Sequence, residues 1–308
     1  MDRTYFITGG NGNLSRQLAI ELIKDGSKAV LFDLQPDPVN ETNPQTVYVS
    51  GDITNSPLLR TLFEEHRPTH VLHMASMLSG SSEANRPRAW EVNATASYQL
   101  LELSLEDNVD CFFFPSTAAT YGLNVLDPLP EDFPQWPENI YGATKVGVER
   151  TGTYFFQKHG LNFRSVRLPF VISQFAPDGA LTAYASRVFV EALKGNHFSF
   201  PVPPEAVAST IYVKDVVSGI IKFINAPNEK LTRRIYNMHA FAPTAESIAL
   251  AIKKKIPSFS YSFEPKPNLV KMIDSLPAIM ADDSARNDWG WNPAFGLEEM
   301  VNDFLTNL

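Results

Sequence analysis

Cysteine is nearly absent from this chain of 308 residues, and several other features are missing altogether. Cys111 is the single cysteine, which excludes an internal disulfide framework and favours a reducing compartment. The net charge is −8 and the longest basic run is Lys253-Lys254-Lys255, which argues against nucleic-acid or anionic-membrane partners. No apolar run approaches the length of a membrane span, and no secretory signal precedes the first apolar segment. We therefore expect a cytoplasmic protein with no membrane or nucleic-acid partner.

The chain does contain a regular alternation of strand-like and helix-like segments. Apolar residues make up 44% and charged residues 19%, as in a globular protein with a sizeable core. Short apolar segments predict strands of a covered parallel sheet at Tyr5–Thr8, Ala29–Asp33, Thr46–Ser50, His70–Ala75, Phe112–Ser116 and Phe163–Leu168. Helical patterns separate them at Leu14–Lys24, Pro57–Glu65, Arg88–Leu105 and Tyr141–His159. This alternation predicts an α/β fold with a doubly wound parallel sheet.

The pattern loosens after residue 168, where proline and glycine become more frequent. A helix at Val213–Ile224 and a strand at Arg234–Met238 are expected to return to the sheet. We therefore predict a nucleotide-binding domain from residues 1–168 plus 211–239. Residues 169–210 plus 240–308 are predicted to form a smaller C-terminal substrate-binding lobe.

A glycine-rich loop follows the first predicted strand and precedes the first predicted helix. It reads Thr8-Gly9-Gly10-Asn11-Gly12, and Asp33 ends the second strand at the spacing of a ribose-binding acid. Gly9 and Gly12 fill two of the three glycine positions of a dinucleotide-binding loop, and the third holds Ser15. Since the third glycine serves only helix–strand packing, a small serine can replace it. The loop therefore predicts a Rossmann-type dinucleotide site with a pyrophosphate at the helix N-terminus.

The segment after Asp33 indicates which dinucleotide binds. Residues 34–38 contain no Arg or Lys to neutralise a 2′-phosphate, and Asp37 would repel one. NAD is therefore favoured over NADP. Asp52 and Ile53, beyond the third strand, are placed to flank the adenine, although Asp52 could equally cap the following helix.

Two residues one helical turn apart carry the predicted chemistry. Tyr141 and Lys145 share a helix face, so the Lys145 ammonium and a nearby nicotinamide would lower the pKa of the Tyr141 phenol and make it a general base. Ser116 and Thr117 end the fifth strand, where a hydroxyl can hydrogen-bond the reacting oxygen.

These motifs resemble those of the extended short-chain dehydrogenases/reductases, the NAD-dependent epimerase/dehydratase family. Within it, the chain most resembles the short-chain type of L-threonine 3-dehydrogenase. The residues that carry the resemblance are the glycine loop, Asp52-Ile53, His73-Met74-Ala75-Ser76, Val92-Asn93, Pro115-Ser116-Thr117, Tyr121-Gly122, Tyr141 through Arg150, Arg164 through Arg167, and Asp282 through Trp291.

The resemblance implies oxidation of a secondary hydroxyl at C3 of a small 3-hydroxy (amino) acid. The implied catalytic residues are Thr117, Tyr141 and Lys145. The implied cofactor-binding residues are Gly9, Asn11, Gly12, Asn13, Leu14, Asp33, Asp52, Ile53, Met74, Ala75, Ser76, Asn93, Tyr141, Lys145 and Pro169. The expected substrate-binding residues are Ser79, Ser116, Thr117, Asp178 and Thr182. No metal is expected, because His66, His70 and His73 do not share one face.

The predicted substrate lobe departs from the resembled pattern. Phe170, Leu181, Ala183 and Leu276 stand where the pattern has glycine, threonine, aspartate and tryptophan. The aspartate that the pattern has at position 183 could pair with a substrate ammonium. Asp178 could supply that carboxylate instead. The physiological substrate, threonine or another hydroxy acid, therefore stays open.

Two alternative functions and one assembly follow from the same motifs. A nucleotide-sugar epimerase or dehydratase is the second enzyme class, although Ala118 and Ala119 replace the acid pair of a dehydratase. A non-catalytic NAD-binding scaffold is the third possibility. The resemblance also implies a homodimer through a four-helix bundle, built from Arg88–Leu105 and Tyr141–His159, with Phe155 and Phe156 expected at the surface.

Overall fold

The computed structural model describes residues 3–35, 43–175 and 183–306. The chain divides into two compact units. The first unit contains Met1–Thr117, Asn139–Val166 and Phe223–Ile235, and the second contains Ala118–Glu138, Arg167–Lys222 and Tyr236–Leu308.

A seven-stranded sheet confirms the predicted fold class. Its strands are β1 (Thr4–Thr8), β2 (Lys28–Asp33), β3 (Thr46–Ser50), β4 (His70–His73), β5 (Cys111–Thr117), β6 (Phe163–Leu168) and β10 (Ile235–Asn237). They lie in the order β10-β6-β5-β4-β1-β2-β3, and β1 pairs in parallel with both β2 and β4. This is the order of a Rossmann-type doubly wound sheet, whose direction reverses between β1 and β4.

Helices cover the sheet of the first unit. They are α1 (Asn13–Leu22), α2 (Ser56–His66), α3 (Ser79–Ala84), α4 (Arg86–Trp90), α5 (Ala96–Glu106) and α6 (Ile140–His159). Buried aromatic and aliphatic side chains from the strands pack against those of α2, α5 and α6. Phe6, Phe32, Phe63, Phe112 and Phe155 are among the largest of them. The strands carry apolar side chains on both faces because both faces are covered.

The expected helix Arg88–Leu105 is not continuous. It is divided into α4 and α5 by a π-helical turn at Glu91–Thr95. A π-helical turn shifts the hydrogen bonds from four residues to five, and such turns are frequent at functional sites. The prediction of one uninterrupted helix was therefore wrong.

The second unit is built from short strands and helices. Its strand pairs are β7 (Phe170–Ile172) with β9 (Thr210–Tyr212) and β8 (Phe198–Phe200) with β11 (Tyr261–Phe263). Its helices are α7 (Tyr184–Leu193), α8 (Val213–Ile224), α9 (Ala245–Lys255), α10 (Pro267–Asp274), α11 (Asp283–Trp289) and α12 (Leu297–Thr306). The helix predicted at Val213–Ile224 is confirmed as α8.

The boundaries of the compact units differ from those of the predicted domains in two segments. Residues 118–138 and most of α8 belong to the second unit, whereas the sequence boundaries place both in the nucleotide-binding domain. In the first of these segments, Leu129 donates its backbone N–H to Ile279 and accepts one from Ala281. Leu129 is fully buried with Met280. In α8, a side chain at Gly219 would meet Met238 and Trp291.

No helix in the part of the chain that the structure describes is both long and apolar enough to cross a bilayer. Cys111 is buried at the start of β5, where burial raises the pKa of its thiol to about 11.

Candidate active site

The glycine loop packs its backbone directly against β2 and against the segment that follows β4. Gly9 has a φ of +66°, and a Cβ on it would lie 2.9 Å from backbone atoms of Ala75. A Cβ on Gly10 would lie 2.7–2.9 Å from atoms of Leu31. Side chains at these positions would therefore clash, which explains the paired glycines. Gly10 was not among the predicted site residues, although its place between two other loop glycines was a signal for it.

The turn ends at the N-terminus of α1. Gly12 donates its backbone N–H to the Gly9 carbonyl at 2.9 Å and forms the N-cap of the helix without a side-chain cap. Ser15, where a third glycine was expected, is buried at the first turn. The residues present fit a dinucleotide, because the first turn of α1 carries no acidic side chain against a pyrophosphate. Asn13 and Leu14 lie in this turn, and their contact with a cofactor stays a prediction.

Asp33 joins the loop to the end of β2. Its Oδ2 accepts the backbone N–H of Asn11 at 3.0 Å, and its Oδ1 accepts that of Gln35 at 3.1 Å. The Asn11 side chain donates to the Gln35 carbonyl at 2.9 Å. The predicted ribose-binding acid is thus held beside the glycine loop. Its cofactor role stays a prediction.

Asp52 does not cap the helix that follows it. Its Oδ1 accepts the backbone N–H and the hydroxyl of Thr54, and its Oδ2 pairs with Arg88 at 2.5 Å. These interactions lower the pKa of the Asp52 carboxyl, with the Thr54 backbone N–H as the largest cause. Asn55 is the N-cap of α2, so the capping interpretation of Asp52 was wrong. Ile53 is buried in the core.

The end of β4 lies against the loop through a buried polar network. Thr8 accepts the backbone N–H of Ala75 on its hydroxyl and that of Met74 on its carbonyl. His73 is fully buried, with Nδ1 2.7 Å from Thr8 Oγ1 and Nε2 2.7 Å from Ser97 Oγ. Both ring nitrogens are therefore committed to hydrogen bonds. Burial lowers the pKa of His73 to about 3, which keeps the imidazole neutral.

Asn93 secures the segment after β4 from within the π-helical turn. Its Oδ1 accepts the Met77 backbone N–H at 2.8 Å and its Nδ2 donates to the Met77 carbonyl at 3.0 Å. The same Nδ2 lies 3.4 Å from Thr144 Oγ1 on α6. Asn93 therefore connects the segment that follows β4 with α6. Ser79, a predicted substrate residue, is half-buried at the start of α3.

The predicted catalytic residues converge at the end of β5 and the start of α6. Asn139 caps α6 by accepting the Gly142 N–H at 2.8 Å, which sets where the helix begins. Tyr141 and Thr117 share a side-chain hydrogen bond. Lys145 is buried, with Nζ 5.5 Å from the centre of the Tyr141 ring. The three side chains therefore form one hydroxyl–phenol–ammonium cluster.

Burial sets the protonation of this cluster. It raises the pKa of Tyr141 to about 12, and the Thr117 hydrogen bond opposes that shift. It lowers the pKa of Lys145 to about 7, and the Glu149 carboxylate opposes that shift. The expected depression of the Tyr141 pKa is not found in the protein by itself, because desolvation disfavours the phenolate more than the Thr117 hydrogen bond favours it.

One predicted site residue belongs to the second unit, and two fall outside the described part of the chain. Pro169 is a buried residue of the second unit. Asp178 and Thr182 lie outside the described residues, as does Leu181. Ala183 precedes α7 and is buried. Within the described residues, no group of three or more His, Cys, Asp or Glu side chains is arranged to hold a metal ion.

A family model described as the NAD dependent epimerase/dehydratase family matches residues 5–238. The chain belongs to this family. The chain is also 33% identical over 308 residues to the mitochondrial L-threonine 3-dehydrogenase of Bos taurus, covering 97% of this chain and 81% of the bovine protein. Membership confirms the resemblance inferred from the motifs and NAD as the cofactor class.

Solved structures give the same result at the level of the fold. The L-threonine dehydrogenase of Phytophthora infestans is 33% identical, with a TM-score of 0.92 and 98% of each chain covered. A monomeric L-threonine 3-dehydrogenase from a metagenome is 26% identical, also with a TM-score of 0.92 and 98% of each chain covered. This chain is therefore similar in fold to threonine dehydrogenases over nearly its whole length.

Proposed function

We propose that the protein is an NAD-dependent oxidoreductase that oxidises the secondary hydroxyl of a small 3-hydroxy (amino) acid, as an L-threonine 3-dehydrogenase does. The observation that carries this proposal is the Thr117–Tyr141–Lys145 cluster at the carboxyl end of β5. It lies in the same unit as the glycine loop. Ligands of such sheets bind outside the carboxyl ends of the strands.

Each residue of the cluster has a defined role in this reaction. Tyr141 accepts the proton of the substrate hydroxyl, Thr117 orients the substrate oxygen, and the Lys145 ammonium stabilises the phenolate and the cofactor ribose. NAD supplies the acceptor for the hydride that leaves the substrate carbon. The alcohol becomes a ketone with release of one proton, and threonine would give 2-amino-3-oxobutanoate.

Because the Tyr141 phenol is buried, its action as a base depends on the charge of Lys145. A phenol with a pKa of about 12 is a poor base near neutral pH, because an efficient base has a pKa near the working pH. A cation within about 6 Å favours the phenolate and lowers that pKa. A protonated Lys145 beside Tyr141 therefore supports catalysis, whereas a neutral one would not.

The glycine loop and its neighbours are proposed to hold NAD. Gly9 and Gly12 permit close approach of the pyrophosphate, and the α1 N-terminus supplies backbone donors. We retain Asp33 as the ribose-binding acid and Asp52-Ile53 as neighbours of the adenine. Asn93 supports Met74, Ala75 and Ser76 through the adjoining Met77.

An epimerase or dehydratase is the second candidate, because the matching family includes those activities. Residues 117–119 read Thr-Ala-Ala, without the acid pair of a dehydratase. A non-catalytic NAD-binding scaffold is the third candidate.

One assay separates the three candidates. NADH formation is followed by absorbance with a panel of 3-hydroxy acids and β-hydroxy amino acids, including L-threonine. Turnover of any of them supports the dehydrogenase. Epimerisation of a nucleotide-sugar without net NADH would favour the second candidate, and tight NAD binding without any turnover would favour the scaffold.

The chain is further proposed to form a homodimer and to act in the cytoplasm. Tyr98 on α5 and Tyr154 on α6 are half-exposed, and both pack against Phe155. Two adjacent exposed aromatic residues on the predicted dimer helices support an interface there.

A further inference from the structure

Glu149 is a buried carboxylate that the proposed reaction does not use. It lies on α6 one turn after Lys145 and two turns after Tyr141, so the three side chains share a helix face. Glu149 is completely buried, and Ser116 Oγ donates a hydrogen bond to its Oε1 at 2.5 Å. Carboxylates are rarely buried unless they are paired and hydrogen-bonded. The hydrogen bond from Ser116 therefore offsets part of the cost of burying the Glu149 carboxylate.

Two consecutive residues of β5 bind the two buried charged side chains of α6, Lys145 and Glu149. Lys145 Nζ donates to the Pro115 carbonyl at 2.9 Å, and Ser116 donates to Glu149. The ammonium also lies 4.3 Å from the centre of the Phe114 ring, within the range of a cation–π interaction. The ammonium and the carboxylate are therefore both fixed to one strand in the interior.

The groups around Lys145 leave Glu149 as its negative partner. On α6 the titratable neighbours are Tyr141 and Glu149, and burial raises the pKa of the Tyr141 phenol. On β4 the neighbour is His73, which is neutral. The strand β5 presents hydroxyl groups, a carbonyl and an aromatic ring. Among the described residues, Glu149 is thus the carboxylate whose charge opposes the effect of burial on Lys145.

We propose that Glu149, oriented by Ser116, is a positioning residue that keeps Lys145 protonated and fixed beside Tyr141. The catalytic consequence rests on the proposed function, since the Lys145 charge matters there because it stabilises the Tyr141 phenolate. The effect of the Glu149 charge on Lys145 is a property of the protein and does not depend on the substrate. Ser116 therefore acts on the site through Glu149, whereas it was expected to contact the substrate.

The direct test measures the titration of Lys145 in the full protein. Lysine labelled with ¹³C at Cε is followed by NMR, and the Lys145 signal is the one that disappears in Lys145→Met. Glu149→Gln retains the side-chain size and an acceptor oxygen for Ser116 but removes the charge. We expect the Lys145 midpoint to fall by about one pH unit or more in this variant. Equal midpoints in the wild type and Glu149→Gln would overturn the proposal.

Two further variants separate charge from structure. Glu64→Gln removes a carboxylate from the exposed surface of α2 and is the matched control, with an unchanged Lys145 midpoint expected. Glu149→Asp retains the charge and should restore most of the wild-type midpoint. A Glu149→Asp midpoint equal to that of Glu149→Gln would contradict an effect of charge.

Ser116→Ala provides a test if Glu149→Gln does not fold. Without the Ser116 hydrogen bond the Glu149 side chain is held less firmly beside Lys145, so the Lys145 midpoint should fall in the same direction but by less. No fall in Ser116→Ala would also overturn the proposal.

The pH profile of kcat/KM tests the catalytic consequence. Loss of the Lys145 charge raises the pKa of Tyr141, so the acid limb of Glu149→Gln should move to higher pH by about one unit. A midpoint shift without any turnover of the substrate panel would leave the Glu149 pairing standing and reject the proposed function. An acid limb that stays in place while the midpoint moves would reject the catalytic role of Glu149.

Discussion

At the residue scale, burial controls the charges of the candidate site more than the neighbouring side chains do. It raises the pKa of Tyr141 and lowers those of Lys145 and His73. The sequence showed that Tyr141 and Lys145 share a helix face, but it could not show how deeply each would be buried. The Glu149 carboxylate opposes the shift of the Lys145 pKa and the Thr117 hydrogen bond opposes that of Tyr141, but burial outweighs both.

His73 is expected to make stability depend on pH. Its pKa falls from 6.5 in the unfolded chain to about 3 in the fold, so the unfolded state binds one more proton between these values. The stability that His73 contributes is present above pH 6.5 and is lost as the pH falls toward 3. For His73→Gln, the slope of unfolding free energy between pH 6 and 4 should decrease by about 1.4 kcal/mol per pH unit. Urea denaturation across this range measures the slope, and identical slopes would contradict the assignment.

Gly9→Ala tests the close approach of the loop to β4. The substitution places a Cβ at positive φ and 2.9 Å from the Ala75 backbone, so we expect a loss of about 2–4 kcal/mol of unfolding free energy. Gly26→Ala is the matched control, because Gly26 also has a positive φ but no atom within 4 Å of its Cβ position. The control should lose about 1 kcal/mol.

Calorimetric NAD titration separates the same two variants. Gly26→Ala should bind NAD as the wild type does, because Gly26 lies outside the loop. Gly9→Ala should bind NAD more weakly. Equal destabilisation of both variants, together with unchanged NAD affinity, would show that the loop can move away from Ala75.

At the element scale, the helices around the candidate site differ from what an apolar periodicity of about 3.6 residues in the sequence predicts. The π-helical turn at Glu91–Thr95 separates α4 from α5, and no proline or glycine marks it in the sequence. Phe155, expected at the surface, is only 2% exposed, whereas Tyr154 beside it is 50% exposed. An apolar residue on a long helix does not by itself reveal which side faces the core. Most strands and the ends of α2 and α6 could be predicted, because apolar runs and capping residues specify them locally.

Asn93→Ala tests the role of the π-helical turn. It leaves the N–H and carbonyl of Met77 without their Asn93 partner, so we expect a loss of about 1–3 kcal/mol of unfolding free energy and weaker NAD binding. Asn85→Ala is the control, since Asn85 caps α4 on the exposed surface. It should cost about 1 kcal/mol and leave NAD affinity unchanged. Equal NAD affinity in both variants would argue against a cofactor role for the turn.

At the scale of the whole molecule, the doubly wound sheet was predictable and the division into units was not. Strands with apolar residues on both faces, separated by helices, allow few other arrangements. Residues 118–138 pass into the second unit through Leu129 and its pairing with Ile279 and Ala281. That contact joins segments about 150 residues apart in the sequence. A local sequence pattern therefore cannot predict it.

If the chain forms the proposed homodimer, a charge introduced at Tyr98 or Tyr154 should dissociate it. Tyr154→Glu and Tyr98→Glu would each place a carboxylate in the interface, so light scattering at micromolar concentration should give the mass of one chain. The wild type should give twice that mass. Trp136→Glu, which alters an exposed aromatic of the second unit, should remain dimeric. A monomeric wild type would reject the assembly.

The activity of Tyr141→Phe on the substrate that the wild type turns over tests the role of the Tyr141 phenol. Phenylalanine keeps the ring and removes only the hydroxyl, so the fold should be retained. We predict that kcat falls by about 10²–10⁴-fold, the range of a lost general base. Undiminished turnover by Tyr141→Phe would contradict the central claim that this phenol, beside Lys145, removes the substrate proton.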